Sequence, residues 1–178
     1  PYKSNIESQL HWIPQHEWTY TLDFVADDYI LDEDVVELVF EGLDTYADVW
    51  FNGKKILHAD NMFRTYSYDV KDIIKEKNNI KIKFYPFDKE RDSLIETYRL
   101  RFPEKYAVMR KAAYQNGWDW APRYMNMGIW QPVYLKAWTR STICSASVIT
   151  KDIHDDKADL FFEACINADV EHNISLQL

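Results

Sequence analysis

Apolar residues recur at every second position along much of this chain, and this alternation limits its fold more than any other feature. In WTYTLDFV (18–25), the aromatic and aliphatic residues share one face of an extended chain, and two threonines and an aspartate lie on the other. Five further segments repeat the pattern: 35–40, 47–57, 64–70, 79–85 and 132–138. Period-two alternation is typical of half-buried strands. Six strands separated by turns predict an all-β fold, an antiparallel β-sandwich of jelly-roll type.

The dipeptide Asn52-Gly53 predicts the turn of one hairpin. Both central positions of a type I′ turn require positive φ, and Asn-Gly supplies them at little cost. The chain is also long and apolar enough to form a core, with 178 residues of which 47% are hydrophobic and 16% aromatic. This composition argues against a disordered chain.

Charge and hydropathy argue against two classes of partner. The net charge of −8 would repel nucleic acid phosphates, so we expect no nucleic-acid partner. No apolar run approaches the roughly 18 residues that cross a bilayer, so we expect no membrane partner. The chain opens at Pro1-Tyr2-Lys3 without a methionine, and we expect it to be a piece of a longer protein. Its cellular compartment cannot be predicted.

We also expect no metal and no other cofactor. The five histidines show no ligand spacing, and the acidic pairs do not match a calcium-binding loop. Cys144 and Cys165 form no CxxC pair. A hairpin turn at 154–156 could bring the two cysteines face to face, but we expect free, partly buried thiols.

Two regions depart from the sandwich pattern. Residues 87–116 are rich in charged residues and helix formers, and such a long helical insertion in a compact sandwich tends to be functional. Beyond Trp138, three segments of smaller residues (142–150, 157–167 and 173–178) resemble the start of an immunoglobulin-like β-sandwich, which needs about seven strands. We therefore expect a jelly-roll domain over 1–139 and an incomplete second domain over 140–178.

The tripeptide Trp118-Asp119-Trp120, in QNGWDWAPR, carries the chemistry of a sugar site. The C–H face of a pyranose packs on an indole ring, and a carboxylate accepts charge-assisted hydrogen bonds from adjacent hydroxyls. The alternative is that the two indoles fill the core and Asp119 caps a turn. On the tripeptide alone both interpretations stand.

Four ordered motifs resemble the amino-terminal domain of β-mannosidases in glycoside hydrolase family 2. They are FEGLDTYADVWFNGKKI, DNMFRTYSYDV, RKAAYQNGWDWAPR and GIWQPVYLKAW, within residues 40–138. The resemblance implies a galactose-binding-domain-like jelly roll, the sugar-binding domain. It further implies that Asp119 holds mannose hydroxyls, that Trp118 and Trp120 shape the subsite wall, and that Asn5 contributes nearby. Ala121 stands where many relatives have glycine, a departure that leaves the carboxylate in place.

The same resemblance places catalysis outside this chain. Retaining glycoside hydrolysis needs two carboxyl groups about 5 Å apart, which the family supplies from glutamates of a TIM barrel. A barrel alone takes about 250 residues, and this chain lacks the Asn-Glu dipeptide of the acid/base. We expect the amino-terminal fragment of an enzyme that hydrolyses terminal non-reducing β-D-mannose residues, inactive by itself. Its partners are then the β-mannoside substrate, the TIM barrel and the rest of the immunoglobulin-like domain.

Two other functions remain open at this point. A stand-alone carbohydrate-binding module could use the same jelly roll, because one fold hosts many functions. A purely structural domain could use the tryptophans for domain packing. For Trp130 and Trp138 we expect a place in the core or at an interface.

Overall fold

The computed structural model describes residues 6–99 and 105–168. The strands in these residues are β1 (Trp18–Val25), β2 (Val35–Phe40), β3 (Leu43–Asp44), β4 (Ala47–Phe51), β5 (Lys54–Ala59), β6 (Tyr66–Asp69), β7 (Lys77–Phe84), β8 (Gly128–Ile129), β9 (Val133–Trp138), β10 (Ser141–Ile153) and β11 (Ala158–Ala168). The α-helices are α1 (Ile6–Leu10), α2 (Asp28–Leu31) and α3 (Phe87–Tyr98). Short 3-10 helices cover Ile13–Gln15, Lys105–Val108 and Ala113–Asn116.

Two antiparallel sheets form the sandwich. The first has the strand order β1-β7-β4-β5 and the second has the order β6-β2-β9, so strands distant in sequence become neighbours. Every predicted strand segment up to Trp138 is present, and the predicted all-β, jelly-roll fold is confirmed. The two-residue ladder of β3 with β8 was not predicted, because two residues are too few to show an alternating pattern.

The core lies between the two sheets and is built from the alternating faces of their strands. In β2, Val36, Leu38 and Phe40 are at most 2% exposed. Burying such a side chain contributes about 1.5–3 kcal/mol each. The core residues from the other elements are Leu43, Ala47, Val49, Phe51, Ile56, Ala59, Val70, Ile80, Ile82 and Phe84.

The turn between β4 and β5 forms as its sequence predicts. Asn52 and Gly53 have φ of 50° and 83°, and Phe51 pairs with Lys54 on either side of them. The Asn52 side chain also bonds the neighbouring strand, because its Nδ2 donates to Asn78 Oδ1 at 2.9 Å and its Oδ1 accepts from the Asn79 amide at 2.9 Å. Asn52 therefore joins this hairpin to β7.

A second, smaller cluster packs the helical insertion against the sandwich. Tyr46, Phe87, Met109 and Met125 are each at most 6% exposed and pack together. Phe87 begins α3, while the two methionines lie on either side of the tryptophan segment. Burial also raises the pKa of the Tyr46 phenol to about 12, with Glu90 and Asp60 adding to the shift. None of the described helices has the length and apolar content needed to span a bilayer.

Beyond Trp138, β10 and β11 form a two-stranded hairpin whose side chains are largely exposed. A turn at its tip is closed by the bond from the His154 amide to the Lys157 carbonyl, 2.8 Å. Cys144 lies at a bulge beside the pairing of Ser145 with Cys165, and both thiols are free. They are exposed, not partly buried as predicted, because nothing among the described residues covers this hairpin. The predicted strand at 173–178 lies outside the described residues.

Candidate functional site

The loops at one end of the sandwich are bonded to one another. Asn61 forms a parallel bridge with Arg110, and the Met62 amide donates to the Arg110 carbonyl at 3.0 Å. The Trp130 indole donates from Nε1 to the Met62 carbonyl at 2.9 Å. Its backbone amide donates to the Gly42 carbonyl at 3.3 Å. These bonds join four separate stretches of the chain, at Gly42, Asn61–Met62, Arg110 and Trp130.

The tripeptide lies at the tip of a tight turn. The Trp118 amide donates to the Ala121 carbonyl at 3.0 Å, and the Ala121 amide donates back to the Trp118 carbonyl at 3.1 Å. Asp119 and Trp120 are therefore the two central residues of a two-residue hairpin loop, which we call the Trp118–Ala121 hairpin. Neither central residue has positive φ, so ordinary L-residues occupy the turn without strain.

All three side chains of the predicted site are on the surface. Trp118 is 69% exposed and Trp120 is 84% exposed, values that exclude both from the core. Asp119 is exposed too, and among the described residues it has no side-chain hydrogen bond or ion pair. The alternative interpretation, in which the two indoles fill the core and Asp119 caps a turn, therefore does not agree with the described residues. None of the described residues uses the Asp119 carboxylate.

Gly117 sets the direction in which the chain enters this hairpin. It ends the 3-10 helix Ala113–Asn116 with φ of 82° and ψ of 174°. A Cβ there would lie 3.2 Å from the backbone nitrogen and Cα of Arg123, which is tighter than ordinary van der Waals contact. Glycine is therefore required both by the backbone conformation and by the close approach of the returning chain.

A buried polar cluster below the hairpin was not predicted from the sequence. Lys111 Nζ lies 2.5 Å from Asp44 Oδ1, and the two side chains are 1% and 5% exposed. Gln115 Nε2 donates to Asp44 Oδ2 at 3.0 Å. Burial lowers the pKa of the Lys111 ammonium, while the Asp44 carboxylate opposes the shift. The sequence signal was weak, because Asp44 and Lys111 are 67 residues apart.

The remaining predicted residues fall in different places. Asn5 lies outside the described residues. Trp130 is 45% exposed and belongs to the loop end, whereas Trp138 is half-buried at the end of β9. Within residues 6–99 and 105–168 no group of three His, Cys, Asp or Glu side chains is arranged to hold a metal ion.

A cavity of about 490 Å³ lies away from the hairpin, between the edge strands β1 and β9. Its lining is mainly aliphatic and aromatic, from residues such as Leu22, Ile82 and Leu135. Sugar recognition needs polar groups that converge on hydroxyls, and this lining supplies few. The cavity therefore lacks the polar lining that sugar recognition needs.

Comparison with known proteins adds an independent line of evidence. A family model described as the glycosyl hydrolase 2 galactose-binding domain-like domain matches residues 1–131. Beta-mannosidase A of Emericella nidulans is 35% identical over 148 residues, which cover 76% of this chain and 15% of that protein. Beta-mannosidase of Mus musculus is 30% identical over 151 residues, covering 78% of this chain and 17% of that protein.

A solved structure extends the likeness to three dimensions. The crystal structure of the β-D-mannosidase from Dictyoglomus thermophilum superposes with a TM-score of 0.82 at 28% sequence identity. It covers 92% of this chain and 21% of that chain. The chain thus spans only about a fifth or less of the length of the relatives it matches.

Proposed function

Because this chain belongs to the glycosyl hydrolase 2 galactose-binding domain-like family, we propose that it is the substrate-contacting domain of a longer, retaining β-mannosidase. The whole enzyme would hydrolyse terminal non-reducing β-D-mannose residues. The names of its relatives and the length of those proteins support this activity. Their length also favours an enzyme over a stand-alone binding module, since a module would not need the remaining four fifths.

The observation that carries the proposal is the state of Asp119. Its carboxylate is exposed at the tip of a hairpin, and no described residue occupies it. Hydrogen bonds from sugar hydroxyls to a carboxylate are charge-assisted and roughly twice as strong as neutral ones. Asp119 would accept such bonds from adjacent hydroxyls of the terminal mannose.

Trp118 and Trp120 complete the contact on either side of this carboxylate. Each indole keeps more than two thirds of its surface open to solvent. Packing the C–H face of a pyranose on such a ring removes apolar area from water and leaves every hydroxyl free to bond. The two rings would form the wall of the subsite. Asn5 is a further proposed contact, carried by the resemblance alone.

Catalysis would come from other parts of the enzyme. Two glutamates of a TIM barrel would act as nucleophile and acid/base, and this mechanism uses neither a metal nor another cofactor. Residues 1–139 would form the sugar-binding jelly roll, and residues 140–178 would begin an immunoglobulin-like domain. Both would pack against the barrel of the same chain. We expect the 178-residue chain to be inactive by itself.

Substitution of Asp119 in the full-length enzyme tests the proposal. We expect Asp119→Ala and Asp119→Asn each to lower kcat/KM for a nitrophenyl β-mannoside by about 100-fold, the loss that follows removal of one transition-state hydrogen-bonding group. Most of the loss should appear in kcat, because bonds to the ring strengthen as it distorts toward the transition state.

Asp155→Asn is the matched control. Asp155 is also an exposed aspartate in a hairpin turn, but it lies in the turn between β10 and β11. Its replacement should leave kcat/KM unchanged. If the Asp119 variants behave like this control, Asp119 does not contact the substrate and the proposal fails.

A further inference from the structure

We propose that Asp44, Lys111 and Gln115 form a clamp that fixes the direction in which the Trp118–Ala121 hairpin presents Asp119. The three residues would be positioning residues, because they act on the sugar only through the hairpin. The inference rests on the proposed function of Asp119. It goes beyond that function by assigning a task to a buried ion pair that takes no part in binding.

Both oxygens of the Asp44 carboxylate accept hydrogen bonds from neighbouring side chains. Lys111 Nζ and the Thr45 hydroxyl both donate to Oδ1, and Gln115 Nε2 donates to Oδ2 at 3.0 Å. Donors on both oxygens leave the carboxylate no freedom to rotate. Asp44 also belongs to β3, which pairs with β8. The clamp is therefore attached to the scaffold of the sandwich.

The same side chains also hold both limbs of the loop. Lys111 and Gln115 lie on the chain that leads into the hairpin, and Asn126 lies on the chain that leaves it. Lys111 Nζ donates to the Asn126 carbonyl at 2.6 Å, and the Asn126 amide donates to Gln115 Oε1 at 2.9 Å. Both backbone polar groups of Asn126 are thus bound by the clamp, which closes the base of the loop 115–126.

Contacts of Gly117 connect this base to the tip of the hairpin. The Gly117 amide donates to the Tyr114 carbonyl at 3.2 Å, and Gly117 lies against the Arg123 backbone. The Trp118–Ala121 pairing follows immediately. Base and tip therefore each have hydrogen bonds between the two limbs, and between them Gly117 packs closely against the Arg123 backbone, so a shift at Asn126 would change the direction of Asp119.

The stability of the fold alone does not account for this buried ion pair. Taking a lysine and an aspartate out of water is costly, and apolar residues of similar volume often stabilise a fold as well or better. Apolar contacts are not directional, so apolar residues would not fix the orientation of the loop as hydrogen bonds do. Five directed contacts at Asp44 and Asn126 fix one geometry for the loop.

The clamp is tested in the full-length enzyme with two variants. Gln115→Met removes the bonds to Asp44 Oδ2 and to the Asn126 amide while keeping the ion pair. The double variant Asp44→Leu with Lys111→Met replaces the ion pair by apolar groups and leaves no unpaired charge. If the double variant does not fold, Gln115→Met alone still tests the clamp.

Asn78→Leu is the matched control for general destabilisation. Asn78 is also buried and multiply bonded, to Asn52 and to Lys75. It lies at the other end of the four-stranded sheet, because β4 begins opposite Phe84 and ends opposite Ile80. Its loss should lower Tm without affecting the hairpin.

The first readout is ¹⁹F NMR of 5-fluorotryptophan, which needs no activity. We expect both clamp variants to shift and broaden the resonances of Trp118 and Trp120 while leaving those of Trp18 and Trp50 in place. The Asn78→Leu control should leave all four unchanged. Unaltered hairpin resonances in a folded Gln115→Met variant would overturn the inference, whatever the enzyme assay shows.

The second readout is a double-mutant cycle on kcat/KM. A misplacement of about 1 Å costs about 100-fold, so we expect a loss of this order for the clamp variants in the wild-type background. In the Asp119→Ala background the same changes should cost clearly less than in the wild type, because the part of the loss that acts through Asp119 is already gone and only the misplacement of the two indoles remains. Losses that multiply independently would show a merely structural role and overturn the inference.

The two readouts also separate this inference from the proposed function. If the hairpin resonances move but Asp119→Ala has no effect on kcat/KM, the clamp is upheld as the device that orders the loop, and only the sugar contact of Asp119 fails. If Asp119→Ala is damaging but the clamp variants are not, the proposed function stands and the clamp is refuted.

Discussion

Asp48 shows at the scale of a single residue how hydrogen bonds from the sandwich occupy a largely buried carboxylate. It accepts hydrogen bonds from Lys55 Nζ at 2.7 Å, His58 Nδ1 at 2.8 Å and the Tyr85 hydroxyl at 3.0 Å. Burial works against ionisation, but the three bonds outweigh it and hold the pKa of the Asp48 carboxyl below its ordinary value of 3.8. Burial and this carboxylate together raise the pKa of Tyr85 to about 12. Both carboxylate oxygens of Asp48 are bonded to side chains of the sandwich, whereas no described residue bonds the Asp119 side chain.

Acid titration of the isolated chain tests the stabilisation by Asp48. Since its pKa is lower in the folded state, the stabilisation is complete above the unfolded value of 3.8 and is lost as the pH falls through the lowered value. We expect the free energy of unfolding of Asp48→Asn to be about 1–2 kcal/mol lower than that of the wild type at neutral pH, and this deficit to shrink as the pH falls below 3.8. Urea unfolding at several pH values measures this difference. If the difference in unfolding free energy between the two proteins is unchanged at pH 3, the effect comes from packing and not from the charge of Asp48.

At the scale of elements, Trp130 fastens the loop end to the sandwich just before β9. The indole lies against Gly42, and a Cβ at Gly42 would come within 2.3 Å of Trp130 Nε1 and 2.8 Å of Gln131 Cγ. Gly42 also accepts the Trp130 amide hydrogen bond. The glycine is needed here for space and not for positive φ.

Gly42→Ala should therefore displace Trp130 and its bond to the Met62 carbonyl. We expect a destabilisation of about 1–3 kcal/mol, the usual cost of forcing an extra methyl group into a packed contact. Gly53→Ala is the control, because Gly53 has φ of 83° but a Cβ added there would meet nothing within 4 Å. That variant should lose about 1 kcal/mol from backbone strain alone and keep the fluorescence of Trp130 unchanged. Equal effects on fluorescence in both variants would contradict the packing argument.

In the edge strand β1, the sequence predicts the strand but not the exposure of its apolar face. Alternation in β1 correctly predicts a strand with Tyr20 and Leu22 on its apolar face. In the structure these residues are 43% and 58% exposed, because β1 and β9 are edges of their sheets and the cavity opens between them. Periodicity shows which face is apolar, but it does not show what covers that face.

In the whole molecule, the residues proposed to contact the sugar lie apart from the apolar core that holds the fold together. The exposed hairpin lies at the loop end, the apolar core lies between the sheets, and the hairpin of β10 and β11 continues from β9. This separation agrees with a domain that supplies one wall of a site completed by other domains. The proposed division of labour follows from it, since one carboxylate cannot act as both nucleophile and acid/base.

The activity of the chain alone tests that division. The 178-residue chain should release no nitrophenol from a nitrophenyl β-mannoside above the buffer rate, while the full-length enzyme should turn the substrate over. Calorimetry of the chain with mannose should likewise show no measurable binding, because half a subsite retains few of the contacts. Turnover by the chain alone would place catalytic groups within it, and tight binding would favour a stand-alone module.

The sequence by itself determined the strands, the Asn52-Gly53 turn and the Trp118-Asp119-Trp120 motif. Each depends on neighbours along the chain: alternation shows a strand, positive φ selects Asn-Gly, and three consecutive residues combine a carboxylate with two indoles. The four family motifs are also local, which is why the family could be predicted before any coordinates.

Only the tertiary structure decided that no described residue bonds the Asp119 side chain and that Asp44 meets Lys111. The second of these facts depends on a contact between residues 67 positions apart, formed where β3 pairs with β8. A sequence records which residues can ionise or stack, but burial and partners are set by strands from distant parts of the chain. The exposed carboxylate and the buried one therefore look alike in the sequence and become different only when the chain folds.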